Sequence, residues 1–438
     1  REINGAESLL IQNNLRATGK CRGINLRILG VPLPFLKYLS IMPTSANRTK
    51  IILILGILSA IGPLSIDMYL PAFKNIALAL NCSQEEMGYT LSSFFFGICV
   101  GQLISGPLLD HFGRKNVLYI GLSVYVLSSI ACALSTSVEM LVVFRLFQAL
   151  GGSVGMVAPN AVIRETFEEK ERPKIMSLMI LILGVSPILA PSLGSLLLVT
   201  ASWKAIFLVL AGILLVIIFL IKSWLPEKTN REHGGPFRIT TILKAYKALF
   251  KEKEYLVFAF TGAIGAGSIF TFVGGAPLTF LTYYKVDESR FGFIFAIVAS
   301  GIISASQLNR VVLRKYSSLQ ILKVTLPTQL ILGIILSVLA KLDLLTMELN
   351  IGLLFLIMGC QGFNFPNVAT LALRPFHQGA GTASAMLGSI QMAWGAVCSV
   401  LVGLLFDGTP FTMAIIIVGC AVLANTILFG IGRKYTAN

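Results

Sequence analysis

Charged side chains are scarce in this 438-residue chain, where Asp, Glu, Lys and Arg make up 13% of the residues. A soluble domain carries roughly a quarter charged residues, so the shortage excludes an ordinary soluble globular protein. Hydrophobic residues account for 55% of the chain, and the mean hydropathy is +0.82. The composition therefore predicts an all-α protein that crosses a membrane many times.

Metal-binding patterns are also missing. The seven cysteines form no Cys-x-x-Cys pair and no spacing with histidine, and most lie in apolar runs, where a free Cys acts as a small hydrophobe. His111, His233 and His377 all fall in polar connections. We expect no disulfide, no metal site and no cofactor.

Catalytic and nucleotide-binding patterns are absent as well. No Walker-type phosphate-binding motif occurs, so ATP is not expected to drive the protein. No paired His and Asp and no Ser/Lys dyad stands within an apolar run. A membrane enzyme or assembly factor is therefore the most distant alternative, and we expect no enzyme.

Twelve apolar runs are long enough to span a bilayer at about 20 residues each. Six precede a long basic connection and six follow it, with a short amphipathic helix predicted in "ITTILKAYKALF" of that connection. The predicted helices cover 50–76, 84–109, 116–135, 139–163, 174–198, 203–222, 255–281, 290–309, 319–340, 349–371, 379–404 and 411–432.

This pattern divides the chain into two six-helix bundles, 50–222 and 255–432, joined by a linker at 223–254 and ending in a tail at 433–438. Residues 1–49 show no convincing signal-peptide cleavage pattern. We expect them to be a poorly ordered extension or a start-site artefact, with Met42 as the true start.

The Lys and Arg residues are strongly biased to one side of the predicted spans. The opposite set of loops holds only Lys74, Lys204, Lys285, Arg290 and Lys341. The positive-inside rule then places both termini and the linker in the cytoplasm. The net charge of +15 reflects this bias, so no nucleic-acid partner is expected.

The two bundles repeat each other weakly. "GRKNVLYIG" after the second run corresponds to "LRKYSSLQI" after the eighth, and "VAPNAVIRE" in the fourth corresponds to "NFPNVATLALR" in the tenth. A repeat of six-helix units is typical of transporters whose two halves rock around a central site.

Several segments resemble one family in particular. "GPLLDHFGRKNVL" (106–118) resembles the loop signature of the major facilitator superfamily, and "RLFQALGGSVG" (145–155) the fourth-helix motif of its drug/proton antiporter branch. "SIDMYLPAF" (65–73), "VSPILAPSLGSLL" (185–197) and "GAGTASAMLGSIQMAWGA" (379–396) are similar to the Bcr/CflA subfamily of bicyclomycin and chloramphenicol resistance proteins. The likeness extends over residues 50 to 432 and implies the major facilitator fold.

The resemblance implies a conformational latch at the end of the second helix. Asp110 would sit against the N-terminus of the eleventh helix in one of the two rocking states, where the helix dipole favours a carboxylate. Gly113, Arg114 and Lys115 would form the tight turn that follows.

The fifth helix corresponds to the antiporter motif through Pro187, Pro191 and Gly194. Ala190 and Ser195 stand where that motif has glycines. Small residues let helices approach closely, so we expect the mechanical role of this helix to be kept.

Asp67 and Arg145 are the best-placed full charges within the apolar runs. Asp67 lies roughly 14 Å and Arg145 roughly 9 Å below the same predicted membrane surface, at a rise of 1.5 Å per residue. A carboxylate beside a guanidinium at that depth can exchange protons with both faces in turn. The alternative is a static structural ion pair.

Aromatic residues recur on the helices that would line a central cavity. Together they fit a mostly apolar binding pocket, and the candidates are Tyr69, Phe270, Phe272, Phe363, Phe365 and Trp394. We choose Tyr69, Phe272, Phe363 and Trp394 as substrate-binding residues.

These features predict a monomeric, proton-coupled multidrug exporter of a bacterial inner membrane. It would bind protons, membrane lipid and small drug-like compounds that are amphipathic or uncharged. A sugar or metabolite exporter, or a proton symporter, of the same fold is the main alternative. The substrate itself is not predicted.

Overall fold

The computed structural model describes residues 45–168, 171–225, 239–376 and 380–436. Within these ranges the chain is all-helical, and twelve helices are long and apolar enough to cross a membrane, which confirms the predicted fold class. We call them spans 1 to 12. The expectation for the N-terminal extension falls mostly outside the described residues, as do His233 and His377.

Spans 1 to 6 form the first half and spans 7 to 12 the second half. The helices of the first half run over Ser45–Asp67, Leu70–Ala72, Phe73–Leu80, Met87–Phe112, Arg114–Ala133, Val138–Thr166, Arg172–Thr200 and Trp203–Trp224, the first three making up span 1.

The second half is built in the same way, and it is preceded by the linker helix Ile239–Leu249. Its helices run over Lys253–Gly265, Gly267–Ala276, Pro277–Tyr283, Glu288–Val312, Ser318–Lys341, Met347–Leu373, Ala380–Leu405, Phe411–Asn425, Thr426–Ile431 and Arg433–Thr436, with the first three in span 7.

The two halves meet along two pairs of helices. Span 2 packs against span 11, and span 5 packs against span 8. We call the membrane face at which the linker joins spans 6 and 7 the linker face, and the other the far face. Because successive spans alternate in direction, span 2 ends and span 11 begins at the linker face.

Span 1 is broken near its middle. Its α-helix ends at Asp67, and a short 3-10 turn over Leu70–Ala72, which contains Pro71, precedes the resumption of the helix at Phe73. Proline has no N–H to donate, so the carbonyl four residues earlier, that of Asp67, loses its helical partner. The break therefore places the one carboxylate of this span at a point where the backbone is also unwound.

Span 7 is interrupted at the corresponding place in the second half. One helix ends at Gly265 and the next begins at Gly267, followed by a wide π-helical turn from Pro277 to Tyr283. The carbonyl of Gly265 accepts hydrogen bonds from the side-chain amides of Gln361 (2.8 Å) and Gln329 (3.4 Å). Amide side chains thus satisfy the backbone at this interruption.

Candidate functional site

A fully buried guanidinium forms the centre of the first half. Arg145 lies on span 4 and has no exposed surface. Its Nη1 donates to the carbonyl of Ser65 on span 1 (3.1 Å) and to Oε1 of Gln148 (2.8 Å). Arg145 therefore ties span 4 directly to the segment that precedes the break in span 1.

Three aromatic rings surround the same guanidinium. Its Cζ lies 4.0 Å from the ring centre of Phe94, 4.6 Å from Tyr69 and 5.9 Å from Phe207. Aromatic faces attract a cation, and here they replace a carboxylate as neighbours of the charge. Nε and Nη2 of Arg145 have no hydrogen-bond partner among the described residues.

Asp67 is buried close by, with 5% of its surface exposed. Its carboxylate makes no hydrogen bond and no ion pair with any described residue. Among the side chains whose burial the structure describes, Asp67 and Arg145 are the only charged ones that are buried. The two charges predicted to couple transport to protons are therefore both buried within the helical bundle.

The predicted pairing of Asp67 with Arg145 is wrong in this conformation. Arg145 contacts the backbone of Ser65 instead, two residues before Asp67. Side chains two positions apart on a helix point to different sides, and that of Ser65 faces Tyr125 on span 3, with which it shares a hydrogen bond. The similar depths that residue counting gives do not bring the two charges together.

A chain of hydrogen bonds extends from the guanidinium to span 3. Gln148 Nε2 donates to Oγ of Ser129 (2.7 Å), which in turn donates to the carbonyl of Tyr125 (2.7 Å). Sequence reasoning missed these residues. The available signal was the spacing of Arg145 and Gln148, because residues three apart share one face of a helix.

The loop after span 2 has the tight geometry that the sequence predicts. Gly113 adopts a φ of +84°, which favours glycine. Arg114 Nη1 lies 2.7 Å from Oδ1 of Asp110, and its Nε and Nη2 donate to Oε1 of Glu165 on span 4 at 3.0 and 2.8 Å. Lys115 Nζ donates to the carbonyl of Lys222 (3.2 Å) at the end of span 6.

Asp110 therefore pairs within its own half, and 74% of its side chain is exposed. No described contact joins it to span 11, whose helix begins at Ala380, just after three residues outside the described ranges. Glu165 was missed because it lies 51 residues from its partner Arg114. The latch itself stays a prediction, which needs the opposite state of the protein.

Small residues let span 5 pack closely against span 1 of its own half and against span 8 of the other half. A Cβ on Gly194 would collide with the carbonyl oxygen of Met68, at the break in span 1. A Cβ on Gly292 of span 8 would meet the backbone of Ser192 at 2.9 Å. Ser195 Oγ donates to the carbonyl of Glu288 (2.7 Å) at the start of span 8.

Gly194→Ala is expected to destabilise the protein by about 1–3 kcal/mol, as overpacking of a tight core contact does. The reason is that backbone, which cannot rotate away, blocks the new methyl group. Gly212→Ala on span 6 is the control, because a Cβ there meets nothing within 4 Å. In thermal unfolding in detergent, only the Gly194 variant should show a lower midpoint than the native protein. Equal midpoints for the two variants and the native protein would contradict the contact.

At the far face, polar contacts join the halves. Asn75 Nδ2 donates to Oε2 of Glu288 (3.2 Å), and Thr282 Oγ1 donates to Oε1 of Gln84 (2.7 Å). Ser399 Oγ donates to the carbonyl of Gly88 (3.2 Å). The two halves are therefore closed against each other at this face.

The predicted substrate-binding aromatics differ in their surroundings. Tyr69 is fully buried beside Arg145, and its hydroxyl bonds Oγ1 of Thr90 (2.6 Å). Phe272 is 2% exposed and stacks on Phe295 at 4.9 Å. These two therefore do not face an open pocket in this conformation, because neighbouring rings already cover them.

Phe363 and Trp394 are only half-buried. Trp394 packs against the interruption of span 7, since a Cβ on Gly267 would lie 2.7 Å from its Nε1. A Cβ on Gly267 would also lie 2.6 Å from Sγ of Cys420, so Trp394 and Cys420 cover the interruption of span 7 together.

The centre of the second half is polar without charge. Gln329 Oε1 accepts from Nε2 of Gln361 (2.6 Å) and from Nδ2 of Asn364 (3.0 Å), and Gln329 Nε2 donates to Oγ of Ser268 (2.6 Å). Both charged side chains that the structure describes as buried, Asp67 and Arg145, therefore lie in the first half.

Comparison with known proteins places this arrangement in a wider context. The sequence model of the Major Facilitator Superfamily matches residues 55–399. The chain is 32% identical over 373 residues to a bicyclomycin resistance protein homolog of Haemophilus influenzae, covering 85% of this chain and 94% of the relative. It is 26% identical over 342 residues to the multidrug resistance protein MdtL of Vibrio parahaemolyticus, covering 76% and 83%.

Among solved structures, the crystal structure of a D-xylose–proton symporter superposes with a TM-score of 0.70. The match covers 87% of this chain and 97% of the symporter at 14% sequence identity. Similarity at that level concerns the fold alone. The family resemblance inferred from the sequence motifs is confirmed by these comparisons.

Proposed function

The chain belongs to the Major Facilitator Superfamily, and we propose that it is a proton-driven exporter of small amphipathic or uncharged compounds. Membership makes it a membrane transporter and not an enzyme. The bicyclomycin and multidrug resistance relatives support drug-like compounds as cargo. The exporter would act as a monomer by alternating access.

The burial of Asp67 without a partner is the observation that carries this proposal. A charged group deep in a membrane is costly, so such residues usually serve a function. A carboxylate held by a static ion pair would have a structural purpose, whereas no described residue pairs with this one. A carboxyl group in this position is suited to take up a proton from one face and release it to the other.

Arg145 has a second role in this mechanism. Its guanidinium gives the first half a fixed positive charge whose Nε and Nη2 are unused in this conformation. A rearrangement of the break in span 1 could bring Asp67 towards these donors, which would favour release of the proton. Proton movement and helix movement would then be coupled through one short segment.

We propose that the linker face is cytoplasmic and that the membrane is a bacterial inner membrane, following the Lys and Arg bias of the loops. The closed far face would then be the periplasmic side, and the present conformation would be the state that takes up cargo from the cytoplasm. Asp110, exposed in this state, would engage span 11 only after the halves rock.

A sugar or metabolite transporter of the same fold is the second candidate. Binding a sugar needs polar side chains with free donors and acceptors. The amides of Gln329, Gln361 and Asn364 instead bond one another and the backbone of Gly265. This self-satisfied network favours an apolar cargo.

The proposal is tested by export of a panel of amphipathic antibiotics from proteoliposomes with an imposed pH gradient. Loss of the antibiotic from the vesicles should follow the gradient and stop when an uncoupler collapses it. Transport of sugars and nucleosides in the same vesicles is the alternative outcome. Export that continues after the uncoupler would refute proton coupling.

The latch predicts that Asp110→Asn folds normally, transports at least about fivefold more slowly and favours the state closed at the far face. The loss of a charge–dipole contact worth about 1 kcal/mol or more in the other state would shift the equilibrium. Crosslinking between Gln84→Cys and Thr282→Cys, with Cys82 replaced by Ser, reports this state because the native side chains touch.

Glu168→Gln is the control for the latch, because Glu168 is an exposed carboxylate at the same face. Crosslinking should rise in the Asp110 variant and stay unchanged in the control. Unaltered crosslinking together with normal turnover of Asp110→Asn would contradict the latch.

A further inference from the structure

The linker helix Ile239–Leu249 is anchored to both halves of the protein. Leu249 is buried in the same hydrophobic cluster as Tyr255 and Phe258 of span 7, and the helix packs against span 11. The hydroxyl of Tyr246 donates to the carbonyl of Leu103 on span 2 (2.9 Å). The helix therefore connects the second half, with which it packs, to the first.

The hydroxyl of Tyr246 is a dependable donor in this contact. Partial burial raises the pKa of Tyr246 to about 12, so the hydroxyl keeps its proton throughout the physiological range. Among the described hydrogen bonds between the halves, this one lies nearest to the linker face, whereas those of Gly88, Gln84 and Asn75 lie at the far face.

Two large apolar side chains of this segment are mostly exposed. Leu243 is 61% exposed, and Phe250, in the turn after the helix, is 57% exposed. They are seven positions apart, so they lie on nearly the same side of the helix. We call them the apolar pair. Lys244, Lys247 and Lys251 are exposed as well, and we call them the lysine arc.

The order of these groups around the helix is specific. At about 100° per residue, the side that carries Tyr246 and Leu249 faces the protein, the apolar pair comes next, and the lysine arc lies beyond it. No acidic residue occurs between positions 243 and 251. The helix therefore presents an apolar edge directly between its protein contact and a strip of positive charge.

The position of the helix relative to the membrane explains this order. Span 7 begins at Lys253, only a few residues after the helix ends, so the helix lies at the level of the lipid headgroups. An apolar edge beside a basic strip is the pattern of a helix that inserts into the interface of an anionic membrane. If a soluble protein bound this surface instead, the apolar pair would lie beside the bilayer without contacting lipid.

We propose that the linker helix is a binding site for anionic phospholipid of the leaflet at the linker face, with the apolar pair among the acyl chains and the lysine arc on the headgroup phosphates. Since Tyr246 bonds span 2 in the far-face-closed conformation, lipid bound to the helix stabilises that conformation. The lipid would thus set how much of the protein is ready to take up cargo. This inference does not depend on proton coupling.

The binding site is tested on the purified full-length protein in detergent by thermal unfolding. Phosphatidylglycerol should raise the midpoint, whereas phosphatidylcholine and inorganic phosphate should not. Changing the three lysines of the arc to Gln should remove more than half of the shift. Replacement of Lys204, Lys285 and Lys341 by Gln removes equal charge at the far face and should leave the shift intact.

Leu243→Ser with Phe250→Ser is the second variant, and it should lose the shift while keeping all the lysines. An equal shift with phosphatidylcholine would overturn the preference for anionic lipid. A shift with inorganic phosphate would show an anion site and not a lipid site. A full shift in the lysine variant would place the lipid elsewhere.

The link to conformation is tested with the crosslink between Gln84→Cys and Thr282→Cys in vesicles with and without phosphatidylglycerol. The anionic lipid should increase crosslinking severalfold. Tyr246→Phe lacks only the hydroxyl that donates to Leu103, so it should keep the thermal shift but lose the increase in crosslinking. An increase that survives in Tyr246→Phe would overturn the proposed route from lipid to conformation.

Discussion

Asp67→Asn is expected to abolish export driven by a proton gradient, by at least about a hundredfold, while the protein stays folded in the membrane. Asparagine has the size of aspartate but cannot carry an exchangeable proton in this role. The native carboxylate bonds no described residue, so the change removes no contact of the fold. It also removes the cost of burying a charge, so stability should equal or exceed that of the native protein.

Two measurements separate coupling from folding in this variant. Proteoliposomes with an imposed pH gradient should show no uphill export, while downhill exchange of labelled cargo continues. Asp343→Asn is the matched control, because Asp343 is an exposed carboxylate at the far face with a φ of +55° that asparagine also adopts. Export by Asp67→Asn that still stops with an uncoupler would place the proton site elsewhere.

The spans were predictable because hydrophobic length is a property of the sequence itself. Their ends were less so. A capping box forms ahead of span 2, since the amide of Ser83 donates to Glu86 (2.7 Å) and the amide of Glu86 donates to Ser83 (3.3 Å), yet the helix begins only at Met87. Those hydrogen bonds close a turn ahead of the helix. Local pairing therefore marks the start of span 2 without fixing its first residue.

The burial of the two charges was also predictable, but direction around the helix axis was not. Counting residues places Asp67 and Arg145 at similar heights, and both are buried. The count does not say which atoms of span 1 meet span 4, and Arg145 reaches the backbone carbonyl of Ser65 instead of the Asp67 side chain. The break at Pro71 then changes the direction of everything that follows Asp67.

The same limit affects the aromatic residues. Sequence alone could not distinguish Tyr69 and Phe272, which other rings cover, from Trp394, which is half-buried. Facing depends on partners such as Phe207 and Phe295, each of which lies on a different span. Contacts between distant segments decide which aromatic side chains a cargo can reach.

Departures from the family pattern were visible in the sequence, but their effect was not. Ser195 stands where the antiporter motif has a glycine, and the expectation was that a small residue preserves the close approach of helices. Its hydroxyl also bonds the backbone of Glu288 in the other half. A glycine could not make this bond, so the substitution adds a polar contact to the closed far face.

Arg145→Ala is expected to abolish transport and also to destabilise the fold, unlike Asp67→Asn. The amides of Met68 and Tyr69 bond the carbonyls of Leu64 and Ile66, and the guanidinium serves the carbonyl of Ser65 between them. Removing it leaves that carbonyl without its donor next to the break in span 1. A buried acceptor left unpaired costs about 1–3 kcal/mol, and Gln148 loses a partner too.

An opposing effect has to be weighed in Arg145→Ala, because the variant no longer buries a cation. The rings of Phe94 and Tyr69 already offset part of that cost, and alanine leaves a cavity between them. Lost packing of a large buried side chain costs about 2–5 kcal/mol, so we expect a net loss of about 2–5 kcal/mol, measured by thermal unfolding.

Arg145→Met and Arg145→Lys resolve what the guanidinium contributes. Methionine fills the space between the rings without donating, so it should recover part of the stability but no transport. Lysine keeps the charge but lacks the planar fork that serves two acceptors at once, so it should recover stability and at most a small fraction of transport. If Arg145→Ala unfolds at the same temperature as the native protein, Arg145 does not hold the break in span 1, and its burial serves transport alone.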